Sequence, residues 1–130
     1  MICNCNSNNN TVADDTVLEF IKGTTFTALI NFIDDVSDYN TAAFTIRKNY
    51  NSDPIINKTF SIANNAVNIE LSKDETNLFN DFENGKNSIS CIWGLNIIDA
   101  LGNVINVFPK TGENAPLCIV FKNVVVKTEE

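Results

Sequence analysis

Apolar and polar side chains alternate along much of this chain, with the two-residue period of a pleated strand that buries one face. In residues 16–33, Val17, Leu18, Phe20 and Ile21 precede Gly23, and Phe26, Leu29, Ile30, Phe32 and Ile33 follow it. This pattern predicts two strands with Gly23 as the bend or bulge between them. The polar run Asp34, Asp35, Ser37, Asp38, Tyr39, Asn40 reads as a loop. Over residues 41–48, Ala42, Phe44 and Ile46 alternate with Ala43, Thr45 and Arg47, predicting a third strand with one buried face. Residues 49–54 form a turn, 55–62 a fourth strand, and Asn64-Asn65 tolerates the left-handed backbone of a tight hairpin. On the fifth strand Val67, Ile69 and Leu71 point the same way.

The pattern then changes. Ser72 stands three residues before Glu75, the spacing of a capping box, and Leu78, Phe79 and Phe82 recur at helical intervals, so a short helix is expected over residues 73–82. Asn84-Gly85 stops it. Residues 88–99 place Ile89, Cys91, Trp93, Leu95 and Ile97 on one face of the longest, central strand. A turn at Leu101-Gly102-Asn103 leads into a strand over 104–108, and a final strand is predicted over 117–127 after a loop. About seven or eight short strands with turns every 8–12 residues or so make an all-β, antiparallel two-sheet sandwich of Ig-like type. The predicted organisation is a polar N-terminal tail (1–14) and a single domain (15–130).

At 130 residues, of which 44% are apolar, the chain supports one core without metal or disulfide support. Its net charge of −7, with Arg47 the single arginine, argues against a phosphate-tracking or lipid-headgroup surface, so neither nucleic acid nor membrane is an expected partner. Asparagine supplies 22 of the 130 residues, a bias of AT-rich coding more than of mechanism. No secretory signal pattern opens the chain, and synthesis in a cytoplasm follows as the expectation.

Composition also limits the chemistry. With no histidine in the sequence, neither a Ser-His-Asp nor a Cys-His arrangement is possible, and five scattered glycines offer no phosphate-binding loop. Not an enzyme, and without a cofactor, is the expectation. An acid-pair glycoside hydrolase would have to draw on Glu19, Glu70, Asp81 or Asp99, and no spacing selects a pair. Asp34, Asp35 and Asp38 crowd oxygen ligands as a calcium loop does but lack its glycine and terminal glutamate, so a hydrated acidic turn is favoured. Cys91 and Cys118 fall in apolar strand patterns and read as core thiols, whereas Cys3 and Cys5 sit in the polar tail. In reducing cytoplasm all four are expected to stay free. Trp93 alternates with core residues, leaving Tyr39 and Tyr50, in loops, as the better candidates to stack on a sugar. Residues 118–126 are apolar on both faces near the end of the chain, so this strand either is covered on both sides within its own sheet, the favoured reading, or pairs with a neighbouring subunit, with Val120, Val124 and Val126 as candidate contacts.

Several short motifs recur together: Gly23-Thr24-Thr25-Phe26, the acidic loop, the Ala-x-Phe-x-Ile-Arg strand of Ala42 to Arg47, and the Val-x-Ile-x-Leu-Ser strand of Val67 to Ser72. Glu75-Thr76-x-Leu78, the Asp-x-x-Gly turn of Asp99 to Gly102 and a valine-rich last strand complete the set. In this pattern residues 20–126 resemble the Ig-like, baseplate-upper-protein N-terminal type of domain in tailed-bacteriophage virions. The chain departs from that pattern in lacking a long C-terminal receptor-binding or fibre module and in its cysteine-bearing tail. The resemblance implies a virion component with no catalytic residues, either a tail or baseplate adaptor or a capsid auxiliary, head-decoration or head-fibre protein. Such a component forms homo-oligomers and docks on other phage structural proteins, with Cys3, Cys5, Tyr39, Tyr50 and the terminal valines as interface candidates. A carbohydrate-binding module is the alternative.

Overall fold

The computed structural model describes residues 17–80, 82–109 and 112–122. Eight strands and one short helix follow one another: β1 Leu18–Ile21, β2 Phe26–Asn31, β3 Tyr39–Arg47, β4 Pro54–Ala63, β5 Ala66–Leu71, α1 Lys73–Thr76, β6 Ser88–Asp99, β7 Val104–Phe108 and β8 Leu117–Phe121. The molecule is all-β, as the alternation implied. Its strands run in the order β1-β8-β6-β3-β4-β5-β2, with β7 also on β6. Because β1 and β2, which are consecutive in the chain, occupy the two ends of that order, the eight-stranded sheet curls nearly into a barrel.

The pairing is mixed. β1 lies parallel to β8, in register from Leu18 against Cys118 to Ile21 against Phe121, and the other strand pairs are antiparallel. A wholly antiparallel arrangement was expected. The parallel pair arises because the first and last strands meet side by side, a relation set by the path of the whole chain and carried by no local periodicity.

One face of each strand supplies the core. Ala42, Phe44 and Ile46 of β3, Val67, Ile69 and Leu71 of β5, and Cys91, Trp93, Leu95 and Ile97 of β6 are all buried. Trp93 packs between Phe44 and Phe108, with ring centroids at 5.9 and 5.0 Å. Each fully buried side chain of this size stabilises the fold by about 1.5–3 kcal/mol. At the hairpin between β4 and β5, Asn64 and Asn65 both have positive φ, 55° and 59°, as a two-residue type I′ turn requires.

The helix needs correction, and β7 carries a bulge that the pattern did not announce. The helix predicted over 73–82 ends at Thr76, although its capping box is present with Ser72 and Glu75 bonded reciprocally. Asn77 caps it, Leu78 turns out to solvent, and Phe79 leaves the helical path to pack edge-on against Phe20 at 5.4 Å. Burial of one large ring outweighs the weak propagation of so short a helix. On β7, Val107 is an extra residue between the pairs Asn96–Asn106 and Leu95–Phe108, a bulge that buries Val107 and Phe108 in succession.

The last strand had two readings. A strand paired wholly inside its own sheet was favoured over an edge open to a neighbour; β6 covers one edge of β8 and β1 the other, and Val120 is fully buried. Val120 is therefore a core residue and no interface contact. Val124 and Val126, like Cys3, Cys5 and Asp81, lie outside the described residues.

Candidate functional site

On the solvent side of β3 and β6, small residues stand opposite one another. Ala43 pairs with Asn96, Thr45 with Gly94, and Arg47 with Ile92. The first two pairs put little bulk above the sheet, so a trough runs between strands with Asn96 near one end and Arg47 near the other. Asn106 of β7, the register partner of Asn96, extends the polar end.

The opposite wall comes from Pro109 and Ala115, which lie between β7 and β8. The chain leaves β7 through a cis Phe108-Pro109 bond, and the end of β7 comes close to the sheet at Gly94, where an added Cβ would lie 3.2 Å from the Phe108 carbonyl oxygen. The far side of the wall is fixed by two bonds: the Trp93 amide donates to Pro116 O at 3.0 Å, and the Ala115 amide donates to Tyr50 Oη at 2.7 Å. Asn106 Nδ2 donates to Pro109 O. Together these elements enclose a cleft of about 250 Å³ lined by Thr45, Arg47, Tyr50, Asn96, Asn106 and Pro109 among others.

Arg47 is held at the cleft by the turn that follows β3. Its Nη1 donates to Ser52 O at 2.7 Å, and Ser52 and Asn49 bond to each other to shape that turn. Among the described residues no carboxylate pairs with Arg47, and the lining residues of the cleft include no acid. Tyr50, 62% exposed, stands at the mouth with its phenolic hydrogen still available to donate.

The other sequence candidates separate from this cleft. Trp93 is 1% exposed and cannot stack on a ligand; its Nε1 has no hydrogen-bond partner among the described residues. Tyr39 is not in a loop but opens β3, half-buried, and faces a second cavity beside Asp35, Val36 and Asn65. In that region Asp35 accepts from the Ser37 amide at 2.9 Å, which holds its carboxyl below the ordinary range. Asp34, Asp35 and Asp38 do not converge: among the described residues no three His, Cys, Asp or Glu side chains gather as a metal would need.

Glu19, Glu70 and Asp99 lie on β1, β5 and β6. Asp99 is occupied in closing the β6–β7 turn, accepting from Asn103 and Leu101, and these bonds lower its pKa. Cys91 and Cys118 are buried, unbridged register partners on β6 and β8, and desolvation raises both thiols above their usual value.

The outward edge of β7 pairs with no strand among the described residues, and beside it Leu101, Val104 and Ile105 are exposed, Leu101 by 88%. Sequence reading missed both this edge and the cleft. The first followed from β8 taking the covered position instead; the second depends on which residues face each other across strands. Comparison with known protein families, with curated proteins and with solved structures identifies no match to this chain.

Proposed function

We propose that this domain is a non-enzymatic structural component of a tailed-phage virion, a capsid auxiliary, head-decoration or head-fibre protein or a tail or baseplate adaptor. It acts by self-association and by docking on other virion proteins. The observation that carries the self-association is the β7 edge. Ala100 to Phe108 contains no charged residue in a chain of net charge −7, and exposes Leu101, Val104 and Ile105. Natural edge strands are usually blunted by lysine, proline or an inward charge, and β7 has none of these over its pairing length. Two copies of an acidic protein meet with least repulsion where neither is charged, and an antiparallel β7–β7 pair about a two-fold axis satisfies both open edges at once.

The virion assignment is supported by the motif pattern of residues 20–126, and the absence of histidine from the sequence fits a role without acid–base chemistry. The reading of the sheet as an Ig-like two-sheet sandwich belongs with it. In support, β4 changes partner along its length: Ile56 to Ser61 pair with β3, whereas Ile62 and Ala63 pair with β5. A strand that passes between layers in this way makes a sandwich corner.

Sedimentation velocity over a wide concentration range, with Ile105→Lys as the control, tests the assembly. A dimer that dissociates on charging Ile105 is expected; a monomer at every concentration overturns it. Mass spectrometry of purified particles tests the virion role, which fails if the chain is missing from them.

A second reading, a carbohydrate-binding module, is favoured by one feature: the exposed Tyr50 ring at the mouth of a cleft with Thr45, Asn96 and Asn106.

A further inference from the structure

We infer that the cleft bounded by β3, β6, Pro109 and Ala115 is a binding site for a pyranose ring that carries a carboxylate. The inference rests on the carbohydrate reading of this cleft and specifies its ligand.

Size comes first. A space of about 250 Å³ lies below the range of drug-sized sites and suits one ring with its substituents. Its shape is a trough with Ala43 and Thr45 on the floor, closed at Gly94 where the Phe108 carbonyl oxygen comes down onto the sheet.

Charge sets the class. The chain holds sixteen carboxylates and one arginine, and that arginine is at this cleft. Its guanidinium spends one hydrogen on Ser52 O and meets no acid among the described residues. A planar donor fork, half-buried and without an anionic partner, matches a carboxylate in two parallel hydrogen bonds. The lining residues present no acid that would repel that anion.

The remaining polar groups suit hydroxyls. Thr45 offers a hydroxyl, Asn96 an amide on the floor, and Asn106, whose Nδ2 is engaged by Pro109 O, its amide oxygen. Tyr50 is fixed through its accepted bond from Ala115 and can donate its own hydrogen to a ring oxygen. An anionic group at the Arg47 end and hydroxyls toward Asn96 and Asn106 define one orientation for the sugar.

The test is amide-resolved NMR titration of the full chain with glucuronate, galacturonate and N-acetylneuraminate, against methyl glucoside and acetate. Expected are saturating shifts at Gly94, Asn96 and Ala115 for at least one acidic sugar, and the three sugars divide hexuronate from nonulosonate sources. Affinity should fall at least tenfold in Ala43→Leu, which fills the trough without touching the Arg47–Ser52 bond, and also in Arg47→Met. If methyl glucoside binds as well as the acidic sugars, the carboxylate inference fails while the carbohydrate reading stands. If no sugar binds, both fail. Acetate shifts of equal affinity, or unchanged binding in Ala43→Leu, overturn the site as a sugar cleft.

Discussion

The Thr76 hydroxyl lies 2.7 Å from the carbonyl oxygen of Thr24 and accepts the Gly23 amide at 3.0 Å, tying the end of α1 to the corner between β1 and β2. Thr76 is fully buried, and the corner it holds is where the curled sheet comes closest to closing on itself. Gly23 has a φ of +82° there, so its amide points inward with the threonine as its partner. Thr76→Val keeps the shape but leaves two backbone groups unsatisfied. A loss of about 2–4 kcal/mol is expected in chemical denaturation, with Thr76→Ser retaining more than half of the bond energy. A loss below about 0.5 kcal/mol would show that water replaces the hydroxyl.

Asn65 performs a similar task at the other end of the sheet. Its side chain accepts from the Val36 amide and donates to the carbonyls of Phe32 and Asp34, each at 2.8 Å, and thereby shapes the acidic loop. Asn65→Gly preserves the left-handed turn and removes only these bonds. A destabilisation of about 1–3 kcal/mol is expected, with hydrogen exchange of the Val36 amide accelerating more than that of Ile69 in the core.

The acid side of the stability profile has an assigned origin. Glu75 is lowered chiefly by the Ser72 amide and further by Lys58, whose ammonium lies 3.0 Å away; Asp99 is lowered by Asn103. Depressed carboxylates stabilise the fold fully above their unfolded values, near 4, and the contribution is lost as pH falls through the folded values. The melting temperature is expected to hold from about pH 7 to 5 and to decline below about 4. In Glu75→Gln the decline should be shallower, because one of the titrating groups is gone; an unchanged slope would exclude Glu75 as a contributor.

Burial makes the two strand cysteines inert. In the Cys3→Ser, Cys5→Ser double variant only Cys91 and Cys118 remain, both buried and both with raised pKa. Reaction with a disulfide reagent at pH 8 is expected to be on the order of 100-fold slower in native protein than in denaturant. Rapid native modification would mean that β8 opens away from β6.

The periodicity of the chain disclosed most of the fold. β6 was legible from residue 88 to 99, because five inward side chains recur without a break, and the Asn64-Asn65 hairpin was legible from residues that accept positive φ. What escaped was non-local. The β1–β8 pair and the early end of α1 depend on partners far along the chain, and the Val107 bulge on the register that β7 takes against β6. The cleft was hidden for the same reason. Ala43, Thr45 and Gly94 carry no signal in sequence, and only the β3–β6 register brings them together; of the lining residues, Tyr50 was the one favoured beforehand to stack on a sugar.

The parallel pairing of β1 and β8 governs how the domain bears load. Val17 enters at the end of the pair where Leu117 begins, and Lys122 leaves at the opposite end. A force pulling these two points apart runs along the strands, so the backbone hydrogen bonds from Leu18–Cys118 to Ile21–Phe121 are strained together in shear. They cannot be unzipped one at a time, and rupture requires the whole short ladder to yield at once.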